Sequence, residues 1–142
     1  MRIDILAIGK IKEKYYRDAA DEYIKRLSRY VKVNVVEVKD DRPDDLYRYI
    51  DDDAYLIPLC IEGVQLSSEG LADMITGLEN KGTSHIQFVI GGSEGLDDAI
   101  KQKGAFKLSF SLMTFPHRLM RVILLEQVYR AYRIKNNEPY HK

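Results

Sequence analysis

Three short segments hold residues whose types and spacing can do chemistry. The first is the turn Gly91-Gly92-Ser93-Glu94-Gly95, where missing side chains let backbone come close to a bound group and present free amides to it. The others are the stretches Leu59-Cys60-Ile61-Glu62-Gly63 and Phe110-Ser111-Leu112-Met113-Thr114-Phe115. Each follows an apolar run, and α/β sheets place ligands where loops leave the carboxyl ends of strands. Three such loops converging on one crevice would line it with apolar groups and exposed amides. That lining suits an uncharged heterocycle and a soft cationic centre rather than a triphosphate. The turn is not a phosphate loop, since no Gly-Lys-Ser/Thr follows, and Gly-Gly-x-x-Gly is not the dinucleotide fingerprint. Taken alone, it serves equally well as plain turn chemistry.

Two of the histidines, His117 and His141, stand where a proton acceptor is useful, whereas His85 opens a strand and reads as structural. No His, Cys, Asp or Glu cluster has metal-ligand spacing, so no metal is expected. Ser93 lacks the strained Gly-x-Ser-x-Gly turn of a hydrolase nucleophile. The single cysteine, Cys60, lies in an apolar run and reads as a core thiol, with no disulfide framework in the chain. The closing Pro139-Tyr140-His141-Lys142 is either a frayed terminus or a working tail. Pro139 and the strongly apolar segment before it favour the tail.

The elements that must position these residues can be read from periodicity. Arg2 to Ile8 is a buried first strand ending at Gly9. Tyr16, Ala19, Ala20, Tyr23, Ile24 and Leu27 recur at three- and four-residue steps, which predicts a helix from Glu13 to Arg29. Val31 to Val38 is a second strand, and Pro43 opens a short helix. Tyr55 to Ile61 reads as a central strand, with Pro58 forcing a bend or an early end because it cannot donate to a ladder. Ser67 or Ser68 caps a helix that stops at Gly82. His85 to Ile90 is a fourth strand, Leu96 to Lys103 a short helix, and Phe106 to Phe110 a fifth strand. Pro116 then starts a helix to about Ile134, with Thr114 as its expected cap. Strands alternating with helices predict a single α/β domain, residues 1–142, with a mostly parallel sheet.

The last helix is apolar over more than the ~100° stripe needed to dock on one sheet, so a second subunit is its expected partner. Glu126 and Arg130 are four apart and can pair. Net charge is zero over 142 residues, which argues against a general nucleic-acid coat. Charge is nevertheless uneven: residues 101–142 hold nine Lys/Arg against Glu126 and Glu138, while residues 40–53 hold seven aspartates against Arg42 and Arg48. No stretch reaches the length of a membrane span, and no cleavable signal opens the chain, so a cytoplasmic protein is expected.

Gly91 to Leu96, the run Ser111-Leu112-Met113-Thr114-Phe115-Pro116-His117, Arg121-Val122 with Glu126 to Ala131, and Pro139-Tyr140-His141-Lys142 together resemble one family. It is the SPOUT-class ribosomal RNA large subunit methyltransferase H family, which methylates N3 of a pseudouridine. The resemblance covers essentially the whole chain and is weakest around residues 40–53. It implies a C-terminal deep trefoil knot, binding of S-adenosylmethionine in that knot, and a homodimer acting on large-subunit RNA within the ribosome. By position it implies cofactor contacts at Leu59, Gly91, Gly92, Phe110, Ser111, Leu112, Met113, Thr114 and Phe115. His141 and Tyr140 become the expected catalytic pair, His141 taking the imino proton or orienting the base. Arg118, Arg121, Arg130, Arg133 and Lys142 become expected RNA contacts, with Arg130 alternatively tied to Glu126. Two other readings stay open: a nucleotide-binding α/β protein, and a dimeric ribosome-binding factor without activity.

Overall fold

A computed structural model describes all of residues 1–142. Five strands form one all-parallel sheet: β1 (Arg2–Ile8), β2 (Lys32–Val38), β3 (Tyr55–Gln65), β4 (His85–Ile90) and β5 (Leu108–Ser109). Their order across the sheet is β2-β1-β4-β3-β5. Side chains alternate faces along each strand, so β1 serves two cores. Ile3, Ile5 and Ala7 join Ile57, Ile86 and Phe88 in the larger core. Helices α1 (Lys14–Leu27), α2 (Ser68–Asn80) and α4 (His117–Lys135) cover that face. Leu6 and Ile8 turn to the smaller core, closed by Leu46 of a 3-10 helix at Pro43–Tyr49 and by Ile100 of α3 (Asp98–Lys103).

Asp4 and Gln87 are polar exceptions within this pattern, and they satisfy each other. Asp4 is 3% exposed on β1, yet its carboxylate accepts from Gln87 Nε2 at 2.9 Å and Arg2 Nε at 3.0 Å and meets His85 Nε2 at 2.6 Å. His85 therefore is part of a buried strand-to-strand network. Burial pushes the Asp4 carboxyl up, but hydrogen bonds from Gln87, His85 and Arg2 outweigh it and bring the net value down.

Local chemistry decides which expected boundaries hold and which shift. Ser67 is the cap of α2, its hydroxyl accepting from Gly70 N at 3.0 Å, and the chain leaves that helix through Gly82 at φ +91°. Thr114 does not cap α4: Pro116 occupies the cap position and no side chain bonds there. β5 shrinks to two residues because little of its length meets a partner. Pro58 neither ends nor interrupts β3. It closes the ladder with β4 opposite Val89, after which β3 continues against β5. The broad apolar surface of α4 is explained in part within one chain, since α4 packs between α1 and α2 as well as on the sheet.

Candidate functional site

A cavity of roughly 250 Å³ opens at the carboxyl ends of β4 and β5 and against the outer half of β3. Its walls are the three loops singled out by sequence. Leu59, Gly91 and Gly92 line it from one side, and Phe110, Ser111, Met113, Thr114 and Phe115 from the other. Leu112 does not, being 76% exposed on the loop's outer side. The register of β3 against β5 breaks between Leu59 and Val64, and this break places Cys60, Ile61 and Glu62 in the wall. Burial pushes the Cys60 thiol up, so it stays protonated and inert at neutral pH.

The glycine turn folds tightly on itself. A Cβ on Gly91 would lie 2.5 Å from the carbonyl carbon of Gly95, so only glycine permits this closure. His117 of α4, singled out by sequence as a possible proton acceptor, lines the cavity, as do Ile90 and Leu96 beside the turn, Lys101 of α3 and Met120 of α4, which were not. Ten of the nineteen lining residues are hydrophobic. His117 packs against Gly9, which holds φ +95° at the end of β1, and its Nε2 is buried with no hydrogen-bond partner. Burial, helped by Arg118, lowers the His117 pKa and keeps the ring neutral.

The five basic residues expected at RNA separate into different environments. Arg118, next in sequence to the lining residue His117, donates from Nε to Lys10 O at 2.7 Å and from Nη2 to Asp40 at 3.4 Å. Arg121 is a correction: at 2% exposure it bonds Glu37 and donates to Gly9 O at 2.7 Å, so it ties α4 to β2 and β1 and cannot meet a phosphate. Arg130 is held by both oxygens of Glu126. Arg133 donates to Glu138 at 2.8 Å and to Pro139 O at 3.0 Å. Lys142 is exposed.

The closing residues do not line the cavity. The chain reverses at Asn137, at φ 53°, and folds back along α4. Tyr140 Oη donates to Glu126 at 2.9 Å with the Arg130 guanidinium 4.7 Å over its ring. Burial and Glu126 push that phenol up to about 12. His141 Nδ1 lies 3.0 Å from Arg130 Nη1, and its Nε2 lies 3.2 Å from Glu69. Arginine only donates, so Nδ1 is the acceptor and Nε2 carries the proton toward Glu69. No group of three or more His, Cys, Asp or Glu residues is placed to hold a metal ion, and no helix is long and apolar enough to cross a membrane.

A loop-walled cavity at one rim of a parallel sheet is shared by many folds, so whole-chain likeness has to decide. The family profile described as "Predicted SPOUT methyltransferase" matches residues 1–141. The chain belongs to the SPOUT methyltransferase family. Within it, the sequence is 52% identical to the ribosomal RNA large subunit methyltransferase H of Bifidobacterium adolescentis and 48% identical to the protein of the same name from Clostridium novyi. Both comparisons cover all of each chain. The structure of a "probable methylase family protein" from Haemophilus influenzae superposes with a TM-score of 0.60 at 13% identity, covering 99% of this chain and 70% of that one. That likeness concerns the fold alone.

The SPOUT family implies a methyl donor, and the cavity suits one. A mostly apolar wall accepts a heterocycle, and the only fully charged side chains in it, Glu62 and Lys101, neutralise each other. Leu59, Gly91, Gly92, Phe110, Ser111 and Met113 to Phe115 are the lining residues that would hold such a group.

Proposed function

We propose that this chain is an S-adenosylmethionine-dependent methyltransferase acting on N3 of a pseudouridine in large-subunit ribosomal RNA. It works in the cytoplasm on ribosomal particles, as a homodimer whose C-terminal half is tied in a deep trefoil knot. Identity near one half, over the whole chain, to proteins named ribosomal RNA large subunit methyltransferase H supports the reading. The crossover from β4 past β3 to β5 supports the knot. The homodimer is supported by Leu119 and Ile123, four apart on α4 and only half-buried, and by Leu112 and Met113 at 76% and 73% exposure.

S-adenosylmethionine, when bound, supplies a methyl group already activated on a sulfonium centre. The protein then has chiefly to align the reacting atoms, a task that contributes ~7–11 kcal/mol in favourable cases. Neutral His117 excludes water and adds no charge beside that centre. Tyr140, protonated at neutral pH, offers a face for base stacking. His141 takes the imino proton or orients the base, and to accept at Nδ1 it must first release Arg130. Neither tail residue lines its own chain's cavity, so the tail either leaves its partners or serves the cavity of the second copy. Arg118, Arg130, Arg133 and Lys142 are the proposed phosphate contacts.

Mass spectrometry of large-subunit RNA from cells with and without the gene tests the assignment. A methylated pseudouridine lost with the gene is the expected result, and identical spectra reject it. With zero net charge, the protein should transfer labelled methyl to ribosomal particles and poorly to a bare hairpin; equal rates refute docking on the particle.

A further inference from the structure

Two side chains in the cavity wall have no part in the methyl transfer as described. Glu62 comes from the register break of β3 and Lys101 from α3, thirty-nine residues later, and Lys101 Nζ lies 2.6 Å from Glu62 Oε1. They are the only Asp, Glu, Lys or Arg among the lining residues. Their exposures are 56% for Glu62 and 23% for Lys101, and a pair so open to water adds at most about 1 kcal/mol to stability. Fold stability therefore does not account for placing them there.

We propose that Lys101 and Glu62 recognise the zwitterionic amino-acid end of the methyl donor, Lys101 pairing with its α-carboxylate and Glu62 with its α-ammonium. This rests on the reading that S-adenosylmethionine occupies the cavity. An amino-acid zwitterion carries one charge of each sign on adjacent groups, which matches the two signs the wall presents side by side. On binding, each side chain exchanges its protein partner for a ligand group of the same sign, so no charge is left buried and unpaired. Each holds the other ionised beforehand: the neighbouring carboxylate raises the Lys101 pKa and the ammonium lowers that of Glu62. The flexible four-carbon stem of Lys101 permits the shift of partner. No other lining side chain carries a full charge to meet the carboxylate.

Calorimetry on the full chain separates the alternatives with three ligands: S-adenosylmethionine, its decarboxylated analogue, and 5′-methylthioadenosine, which lacks the amino-acid end altogether. Lys101→Met should weaken S-adenosylmethionine roughly tenfold or more and leave the other two unchanged. Glu62→Gln should weaken both ammonium-bearing ligands and spare methylthioadenosine. Lys101→Arg should keep most of the affinity. Equal losses for all three ligands would make the pair a matter of cavity shape and overturn the proposal, as would no loss at all. If the unsubstituted protein bound none of the three, the donor reading itself would fall, a result distinct from a wild-type protein that binds and variants that do not discriminate.

Discussion

Replacing Arg121 with Met tests whether this arginine is a structural tie or a phosphate contact. Methionine keeps much of the stem's volume and removes the guanidinium, and with it the bonds to Glu37 and to Gly9 O. Removing one partner of a buried pair typically costs ~3–5 kcal/mol. Two features of the site reduce that figure. Glu37 is 31% exposed and keeps the Ile11 amide at 2.9 Å, so water and backbone take over part of its solvation. Arg121 Nε is buried without a partner, and burial pulls the guanidinium pKa down even against the pull of Glu37, so the native pair already carries a desolvation cost. The net loss should be about 2–3 kcal/mol, or a fall in Tm of ~10 °C for a chain of this size. Urea and thermal denaturation followed by circular dichroism measure it. A loss under about 0.5 kcal/mol combined with weaker ribosome binding would refute the reasoning, since Arg121 would then face the RNA.

Other substitutions probe the remaining parts. Gly9→Ala puts a Cβ at φ +95°, 2.9 Å from Asp40 Oδ1 and 3.1 Å from His117 Nε2, so it should cost ~2 kcal/mol or more in denaturant and weaken donor binding. Asp4 has a folded pKa below its ordinary 3.8, so its contribution is present above that value and is lost as pH falls through the folded pKa. The acid limb of the stability curve should therefore be shallower in Asp4→Asn than in the wild type, and parallel limbs would count against the network. His141→Ala should cut methyl transfer strongly while calorimetric donor affinity stays nearly intact; joint loss would undo the assigned role.

The strand and helix order was legible because each element carries its own period. The alternation of Ile3, Ile5 and Ala7 against Leu6 and Ile8 needs no tertiary information. The cavity loops were legible too, since glycine clusters and strand ends mark themselves. What stayed hidden depends on distance in sequence. Lys101 and Glu62 meet only because α3 packs against β3, a contact that follows from no local pattern. Arg121 reads as a surface cation in a basic segment, and only the packing of α4 against the ends of β1 and β2 shows it buried. The two-residue length of β5 was equally out of reach, because pairing rather than propensity ended it.

Pro58 splits a single strand into two territories. Residues before it are braced by β4 in the middle of the sheet, whereas those after it lean on two residues of β5 and swing outward at Cys60 to Gly63. Architecture and recognition are thus carried by successive halves of the same eleven-residue element. Drift in the outer half can reshape what the protein grasps while the inner half keeps the scaffold standing.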